Sequence, residues 1–273
     1  MTNSHINLPE TEKIDTTLKD GWLTLWFNSP ENRNALSDQL SSELSSILKS
    51  VEDNRNIRGI TLRGKGGVFC AGGDLKVFNT MQGEANHQTM YNMNRAAGDV
   101  FDVVLAMPQL VIAYIDGAAI AGGLGLMCCA DIIVVQKDAK FALTETMIGI
   151  VPAQIAPIVV NRTGLPIAKR LMLTGARFKG SDCPDLNLAD FVVDHAEQFD
   201  GIEASIQKGV KNCAPNAIGL TKKLLQKMPS LSRTEQKDFA AHQFASAILS
   251  DEGKEGIASF VEKRRPSWAT PKT

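Results

Sequence analysis

The spacing of apolar and polar residues predicts alternating strands and helices in the first part of the chain. Two extended runs, residues 13–18 and 22–27, flank the tripeptide Lys19-Asp20-Gly21, which is typical of a hairpin turn. Apolar residues at three- and four-residue steps then predict an amphipathic helix from the N-cap Ser37 to about Asp53. A further strand is predicted at residues 57–62, so the first unit has the order strand, strand, helix, strand.

A second unit follows with the same alternation. A long helix is predicted at about residues 87–105, a buried strand at 110–115, then a glycine-rich loop, a short helix and a strand at 132–135. Strands joined by crossover helices indicate an α/β fold with buried parallel strands. From residue 166 the pattern is almost wholly helical, with segments near 166–173, 202–212, 215–227, 234–249 and 252–262. We expect this helical part to cover a partner subunit.

Composition and charge narrow the functional classes. The 273 residues are 44% hydrophobic and 22% charged, with a net charge of −1, which is typical of a globular protein. We therefore expect no nucleic-acid or membrane partner. The first residues are polar and do not resemble a secretory signal, so we expect a cytoplasmic protein. The five cysteines form no Cys-x-x-Cys pair or Cys/His cluster, so we expect reduced thiols and no metal site.

Two glycine-rich loops are the candidates for chemistry. Residues 69–75 and 116–125 each follow a predicted strand and precede a predicted helix, whose first N–H groups are unpaired. Two such N–H groups aimed at one oxygen form an oxyanion hole, in which each donor contributes roughly 3 kcal/mol. Each loop taken alone is better explained as a tight turn between a strand and a helix. A dinucleotide fingerprint is excluded, because its third glycine position is Cys128 and no acidic residue follows at the required distance.

Six ordered segments resemble the enoyl-CoA hydratase/isomerase (crotonase) superfamily over nearly the whole chain. They are residues 29–36, 69–75, 116–123, 142–152, 173–175 and 260–264. The resemblance implies an α/β, crotonase-type spiral of ββα units at residues 1–200, which holds the acyl-CoA site. It also implies a C-terminal helical trimerisation region at 201–273. A homotrimer or a dimer of trimers is expected, and no separate cofactor, because CoA is part of the substrate.

The resemblance also assigns roles to particular residues. It places the two oxyanion N–H donors at Gly73 and Gly122 and the catalytic carboxylate at Glu145. It implies that CoA is bound mainly by backbone groups near residues 71–76, with help from basic side chains. The candidate substrate-binding residues are Ala35, Ala71, Gly73, Asp74, Leu75, Lys76, Gly122 and Lys263.

One carboxylate stands where the best-known hydratases of the family have two. Alignment through the second Gly-Gly pair places the first glutamate of the family at Gly125, which has no side chain, and the second at Glu145. The apolar neighbours Phe141, Leu143 and Met147 favour a partly buried, functional carboxylate. A single base can move a double bond between C3 and C2. Hydration must also activate water, so mechanism alone favours isomerisation.

The resemblance favours hydration instead. Residues 122–126, 143–145 and 151–157 look closest to hydratases that act on branched or carboxylated enoyl-CoAs, of the methylglutaconyl and isohexenylglutaconyl type. Hydration of such a 2-enoyl-CoA is therefore the first hypothesis, and isomerisation by Glu145 alone is the second. A catalytically silent CoA-binding or assembly subunit is the third. Four apolar residues in or before the long helix either line the acyl tunnel or fill the core: Met81, Met90, Met93 and Phe101. Arg95 is a candidate partner for an acyl carboxylate.

Overall fold

The computed structural model describes residues 7–82 and 86–269, without the side chains of residues 76, 78, 81 and 82. The strands in this part of the chain are β1 (Ile14–Lys19), β2 (Trp22–Phe27), β3 (Gly59–Gly64), β4 (Leu110–Ile115), β5 (Ala118–Ile120), β6 (Ile132–Gln136), β7 (Lys140–Ala142), β8 (Arg177–Lys179) and β9 (Phe191–Val193). They form a six-stranded sheet in the order β1-β2-β3-β4-β6-β9 and a three-stranded sheet in the order β5-β7-β8.

The α-helices of the described residues alternate with these strands and then dominate the C-terminal part. They are α1 (Asp38–Val51), α2 (Leu75–Gln82), α3 (His87–Ala106), α4 (Gly122–Cys128), α5 (Ala156–Thr163), α6 (Leu165–Leu173), α7 (Phe199–Asn212), α8 (Pro215–Lys227), α9 (Arg233–Leu249) and α10 (Asp251–Val261). None of the described helices is long and apolar enough to cross a membrane.

The main sheet is parallel except at its first edge. Strands β2, β3, β4, β6 and β9 pair in parallel, whereas β1 pairs with β2 in antiparallel register. The β1–β2 turn is made by Asp20 and Gly21, both with positive φ. The predicted α/β fold with buried parallel strands is confirmed.

Helix α1 shows how the sequence pattern produces the main core. The side chain of Ser37 accepts a hydrogen bond from the N–H of Leu40 and caps the first turn. The apolar positions of the helix share one buried face: Leu40, Leu44, Ile47, Leu48 and Val51. This face packs with α3 on one side of the main sheet, so helix periodicity alone located the core face.

The other side of the sheet is covered by α7. Tyr114 of β4 packs against Phe199 at the start of this helix, with ring centroids 4.9 Å apart. Trp22 and Val134 belong to the same buried cluster. The predicted boundary at residue 201 therefore falls inside α7, and the division into residues 1–200 and 201–273 stays a prediction.

The five helical segments predicted from residue 166 onward are confirmed, and the unpredicted strands β8 and β9 lie between the first two of them. Strands β5 and β7 were not predicted either. Each of these strands has only three residues, which is too short to show a two-residue apolar alternation. Their pairing partners, which are distant in sequence, define them.

The close approach of the Gly117 backbone to the chain before the first glycine loop can be tested by substitution. A methyl group added to Gly117 would lie 1.8 Å from the carbonyl oxygen of Gly67, so Gly117→Ala must displace backbone. We expect Gly117→Ala to lower the free energy of unfolding by about 1–3 kcal/mol in urea denaturation. Gly209→Ala, on the exposed surface of α7, is the control.

A methyl group on Gly209 meets nothing within 4 Å. Since alanine favours the helix by about 1 kcal/mol over glycine, this control should be neutral or stabilising. Equal stability of the two variants would contradict the packing of the loops described above.

Candidate active site

Backbone hydrogen bonds bring the two glycine loops side by side. The N–H of Ile120 donates to the Cys70 carbonyl at 3.0 Å, and the N–H of Ala121 donates to the Ala142 carbonyl at 2.8 Å. The N–H of Leu36 donates to the Gly72 carbonyl at 2.8 Å. Segments that are far apart in sequence thus meet at one point, together with the end of β7.

The two predicted donors, the N–H groups of Gly73 and Gly122, lie at this point. A methyl group on Gly122 would lie 3.6 Å from the amide nitrogen of Gly73. Among the hydrogen bonds of the described residues, neither N–H has a protein acceptor. Gly72 has φ +86°, and a methyl group there would lie 2.9 Å from the Gly122 nitrogen, so only glycine fits. The arrangement leaves two neighbouring N–H groups available to one anionic oxygen.

Ala121 holds a strained backbone just before the second donor. Its φ of 51° and ψ of −121° are unfavourable for a residue with a Cβ atom. Its N–H bond to Ala142 compensates part of this strain. The strained residue marks the point where β5 turns into α4 and presents the Gly122 amide.

Both donors and Glu145 line one cavity of about 750 Å³. Predicted residues Ala71, Asp74 and Leu75 also line it. The volume is that of a small-molecule site, which typically measures several hundred Å³. Three elements that were predicted separately therefore share one binding space.

Glu145 begins a short 3₁₀ helix, Glu145–Ile148, that follows β7. The residue is only 8% exposed, and its buried Oε2 atom has no hydrogen-bond partner among the described residues. Burial raises the pKa of this carboxyl above its usual value near 4.5, against the opposing effect of a backbone hydrogen bond at the same residue. A carboxylate of this kind is suited to accept and return a proton.

The space beside Gly125 is filled by Ile155. A methyl group on Gly125 would lie 2.1 Å from Cγ2 of Ile155, so no larger side chain fits there. Ile155 is 4% exposed and contributes to the cavity wall. The position at which the resemblance places the first glutamate of the family is therefore covered by an aliphatic side chain.

Two predicted substrate-binding residues, Ala35 and Lys263, do not line this cavity. Ala35 is buried beside Leu36, and Leu36 is the one that lines the wall. The side chain of Lys76 lies outside the described part of the chain. Lys263 is exposed after the end of α10 and does not line the cavity, so the structure of the single chain does not bring it to the site. Its neighbour Arg264 is held by Glu255.

Of the α3 residues expected to line a tunnel or fill the core, Met93 lines the cavity, Phe101 does both, and Met90 does not line the cavity. The side chain of Met81 lies outside the described residues. Sequence reasoning missed the roles of Ile155 and Gln154, which also line the wall. The sequence signal for them was Gly98 inside α3 and Gly125 inside α4, because a glycine within a helix indicates that another residue packs closely against it.

Other reactive side chains give no rival site. Burial raises the pKa of the Cys70 and Cys128 thiols to about 12, so neither forms a thiolate at neutral pH. In the residues the structure covers, no group of three or more His, Cys, Asp or Glu side chains is arranged to hold a metal ion. The cavity with Glu145 is thus the candidate active site.

Comparison with known proteins agrees with this geometry. The family described as enoyl-CoA hydratase/isomerase matches residues 18–271. The peroxisomal Delta(3,5)-Delta(2,4)-dienoyl-CoA isomerase of Arabidopsis thaliana is 30% identical over 257 residues, which cover 90% of this chain and 91% of that protein.

Solved structures show the same fold. Pseudomonas aeruginosa AtuE superposes with a TM-score of 0.91 at 40% identity, covering 95% of this chain and all of that one. An enoyl-CoA hydratase/isomerase from Marinobacter aquaeolei gives a TM-score of 0.89 at 37% identity, covering 94% and 99% of the two chains. The crotonase-type fold expected from the sequence is confirmed.

The raised pKa of Glu145 predicts how the stability of the protein depends on pH. Because the folded state binds the proton more tightly than the unfolded state, this group destabilises the protein as pH rises from about 4.5 through its raised folded pKa. Glu145→Gln removes the effect. We expect the variant to unfold at higher urea concentration than the unmodified chain at pH 7, and the difference to shrink towards pH 4. An equal advantage at both pH values would contradict a buried, titrating carboxyl.

Proposed function

The chain belongs to the enoyl-CoA hydratase/isomerase family, and from this membership we propose that it transfers a proton on the acyl chain of an enoyl-CoA thioester. The N–H groups of Gly73 and Gly122 donate to the thioester oxygen and stabilise the enolate. Glu145 is the base and the acid. The chemistry needs no separate cofactor, because CoA is part of the substrate.

The observation that carries this proposal is the single buried carboxylate in the cavity that the two N–H groups share. Removal of a proton next to the acyl carbonyl places negative charge on the thioester oxygen, where the paired donors stabilise it. The raised pKa of Glu145 brings the acidity of its carboxyl closer to neutral pH, which suits a group that must both accept and return a proton.

Isomerisation between a 3-enoyl-CoA and a 2-enoyl-CoA is the reaction that this geometry supports best. It requires one base that removes a proton at C2 and returns it at C4. Ile155 covers Gly125 and excludes a second carboxylate at that position. An aliphatic wall also provides no acceptor for the proton of an attacking water.

Hydration of a branched or carboxylated 2-enoyl-CoA is the second candidate. It is favoured by the similarity of residues 122–126, 143–145 and 151–157 to hydratases of that type. In this reaction Glu145 would accept the proton of the water that attacks C3 and deliver a proton to C2. Its Oε2 atom, which has no partner among the described residues, is available to carry the proton.

Substrate panels and a conservative variant test the proposal. Purified protein receives 3-hexenoyl-CoA and crotonyl-CoA in separate assays, and the absorbance of the conjugated thioester is followed. We expect a gain with the 3-enoyl substrate and little loss with crotonyl-CoA. Glu145→Gln should lower kcat by roughly 10²- to 10⁴-fold while acyl-CoA affinity is retained.

Glu197 has an exposed carboxyl and is distant in sequence from Glu145. The variant Glu197→Gln is therefore the matched control and should not change turnover. Faster loss of absorbance with crotonyl-CoA than gain with 3-hexenoyl-CoA would favour hydration over isomerisation. Unchanged properties of Glu145→Gln would favour a catalytically silent subunit.

We also propose that the protein is a homotrimer or a dimer of trimers. The C-terminal helices α8, α9 and α10 carry large apolar side chains that are mostly exposed in the single chain: Leu225, Phe244, Leu249, Phe260 and Val261. Phe260 is 86% exposed. Apolar surface of this extent is typical of an interface between subunits.

Light scattering after size-exclusion chromatography tests this association. We expect a mass of three or six times the 29.6 kDa of one chain. Phe244→Asp should shift the protein towards the monomer, because burying a carboxylate in an apolar interface is unfavourable. Lys237→Asp, a charged position on the same helix, is the control and should keep the assembly. A monomeric unmodified chain would contradict the proposal.

A further inference from the structure

Two consecutive residues of the cavity wall pack against two glycines on different helices. Ile155 lies against Gly125 of α4, as described above. Gln154 lies against Gly98 of α3, where a methyl group would come within 2.6 Å of its Oε1 atom. Glycine inside a helix costs about 1 kcal/mol relative to alanine. Gly98 thus makes room for the Gln154 amide in the middle of a 20-residue helix.

The Gln154 amide is fixed by a partner on α3. Its Nε2 atom donates to Oδ1 of Asn94 at 2.8 Å. Both residues line the cavity that contains Glu145. In the described part of the chain, the two N–H bonds of Asn94 Nδ2 and the second N–H bond of Gln154 have no protein acceptor. This Asn94–Gln154 pair therefore keeps amide N–H donors that no described protein group uses.

Among the described side chains, the cavity wall around the pair offers no cation to an acidic acyl group. Among the side chains that the structure describes, the charged residues of the cavity wall are all acidic: Asp38, Asp74, Asp99 and Glu145. Arg95, the candidate partner for an acyl carboxylate, is paired with Asp99 at 2.9 Å and does not line the cavity. The neutral amides of Asn94 and Gln154 are thus available in this wall to an acyl oxygen.

The pair belongs to the same cavity as the reacting groups. Gln154 directly precedes Ile155, which packs on the helix that begins with the donor Gly122. Asn94, Gln154, Gly122 and Glu145 all line this one cavity. Met93, Ala97 and Phe101 provide the apolar wall around it.

We propose that the Asn94–Gln154 pair determines substrate specificity by binding an acceptor oxygen on the acyl chain, either a carboxylate or a neutral carbonyl. This inference rests on the proposed function, because it names the class of thioester that the same cavity takes. It predicts that acyl-CoAs with a second oxygen-bearing group are preferred over plain hydrocarbon chains.

Binding of saturated thioesters tests the inference without relying on turnover. Calorimetry compares pentanoyl-CoA, glutaryl-CoA and the methyl ester of glutaryl-CoA, which share a five-carbon acyl chain. We expect at least one oxygen-bearing thioester to bind roughly 10-fold more tightly than pentanoyl-CoA. Preference for glutaryl-CoA identifies the carboxylate as ligand, and preference for both identifies the carbonyl oxygen.

Two variants connect the preference to the pair. Gln154→Met keeps a long side chain against Gly98, and Asn94→Leu removes the other donor. Each should abolish most of the preference while the Kd of pentanoyl-CoA changes less than about threefold. Equal affinity of the unmodified protein for the three thioesters, or equal losses for all three in the variants, would overturn the inference.

The outcome is separate from that of the proposed function. Glu145→Gln should retain the preference in calorimetry even though turnover is lost. If no enoyl-CoA is converted but the preference is measured, the specificity inference stands and the proposed reaction fails. If conversion is measured without any preference, the proposed reaction stands and the specificity inference fails.

Discussion

The hydrogen bond from the Ala121 N–H to the Ala142 carbonyl, 2.8 Å long, joins the glycine loop that opens α4 to the strand that leads to Glu145. It extends the parallel pairing of β5 with β7, which links the segment of the Gly122 donor to the segment of the carboxylate. The bond from Ile120 to Cys70 adds the first glycine loop to the same assembly. Because backbone groups make these links, the arrangement depends on the fold and little on side-chain identity, which suits a preorganised electrostatic site.

Close packing against glycine determines which chemistry this assembly supports. Ile155 against Gly125 fills the position of a second catalytic carboxylate, and the proposed isomerisation rests on this contact between two apolar groups. The adjacent Gln154 packs against Gly98 in the same way, and its amide lies in the wall of the same cavity. In the two proposals made above, neighbouring residues of one short segment control the reaction and the acyl specificity.

Burial of Glu145 connects stability with function. The carboxyl is removed from water and one of its oxygens has no protein partner among the described residues, which disfavours its charged form. The folded protein bears this free-energy cost because a dense core surrounds the site on both faces of the sheet. Functional residues of this kind typically lower stability while improving proton transfer.

The sequence by itself determined the helices with clear apolar periodicity, the hairpin and the parallel strands, because their patterns are local and strong, as in α1. It also located Gly73, Gly122 and Glu145 through the resemblance of ordered motifs. Only the tertiary structure decided what fills the space at Gly125, that Lys263 lies away from the cavity, and that β8 and β9 interrupt the C-terminal helices. These features depend on contacts between residues far apart in the chain, which no local pattern of side chains encodes.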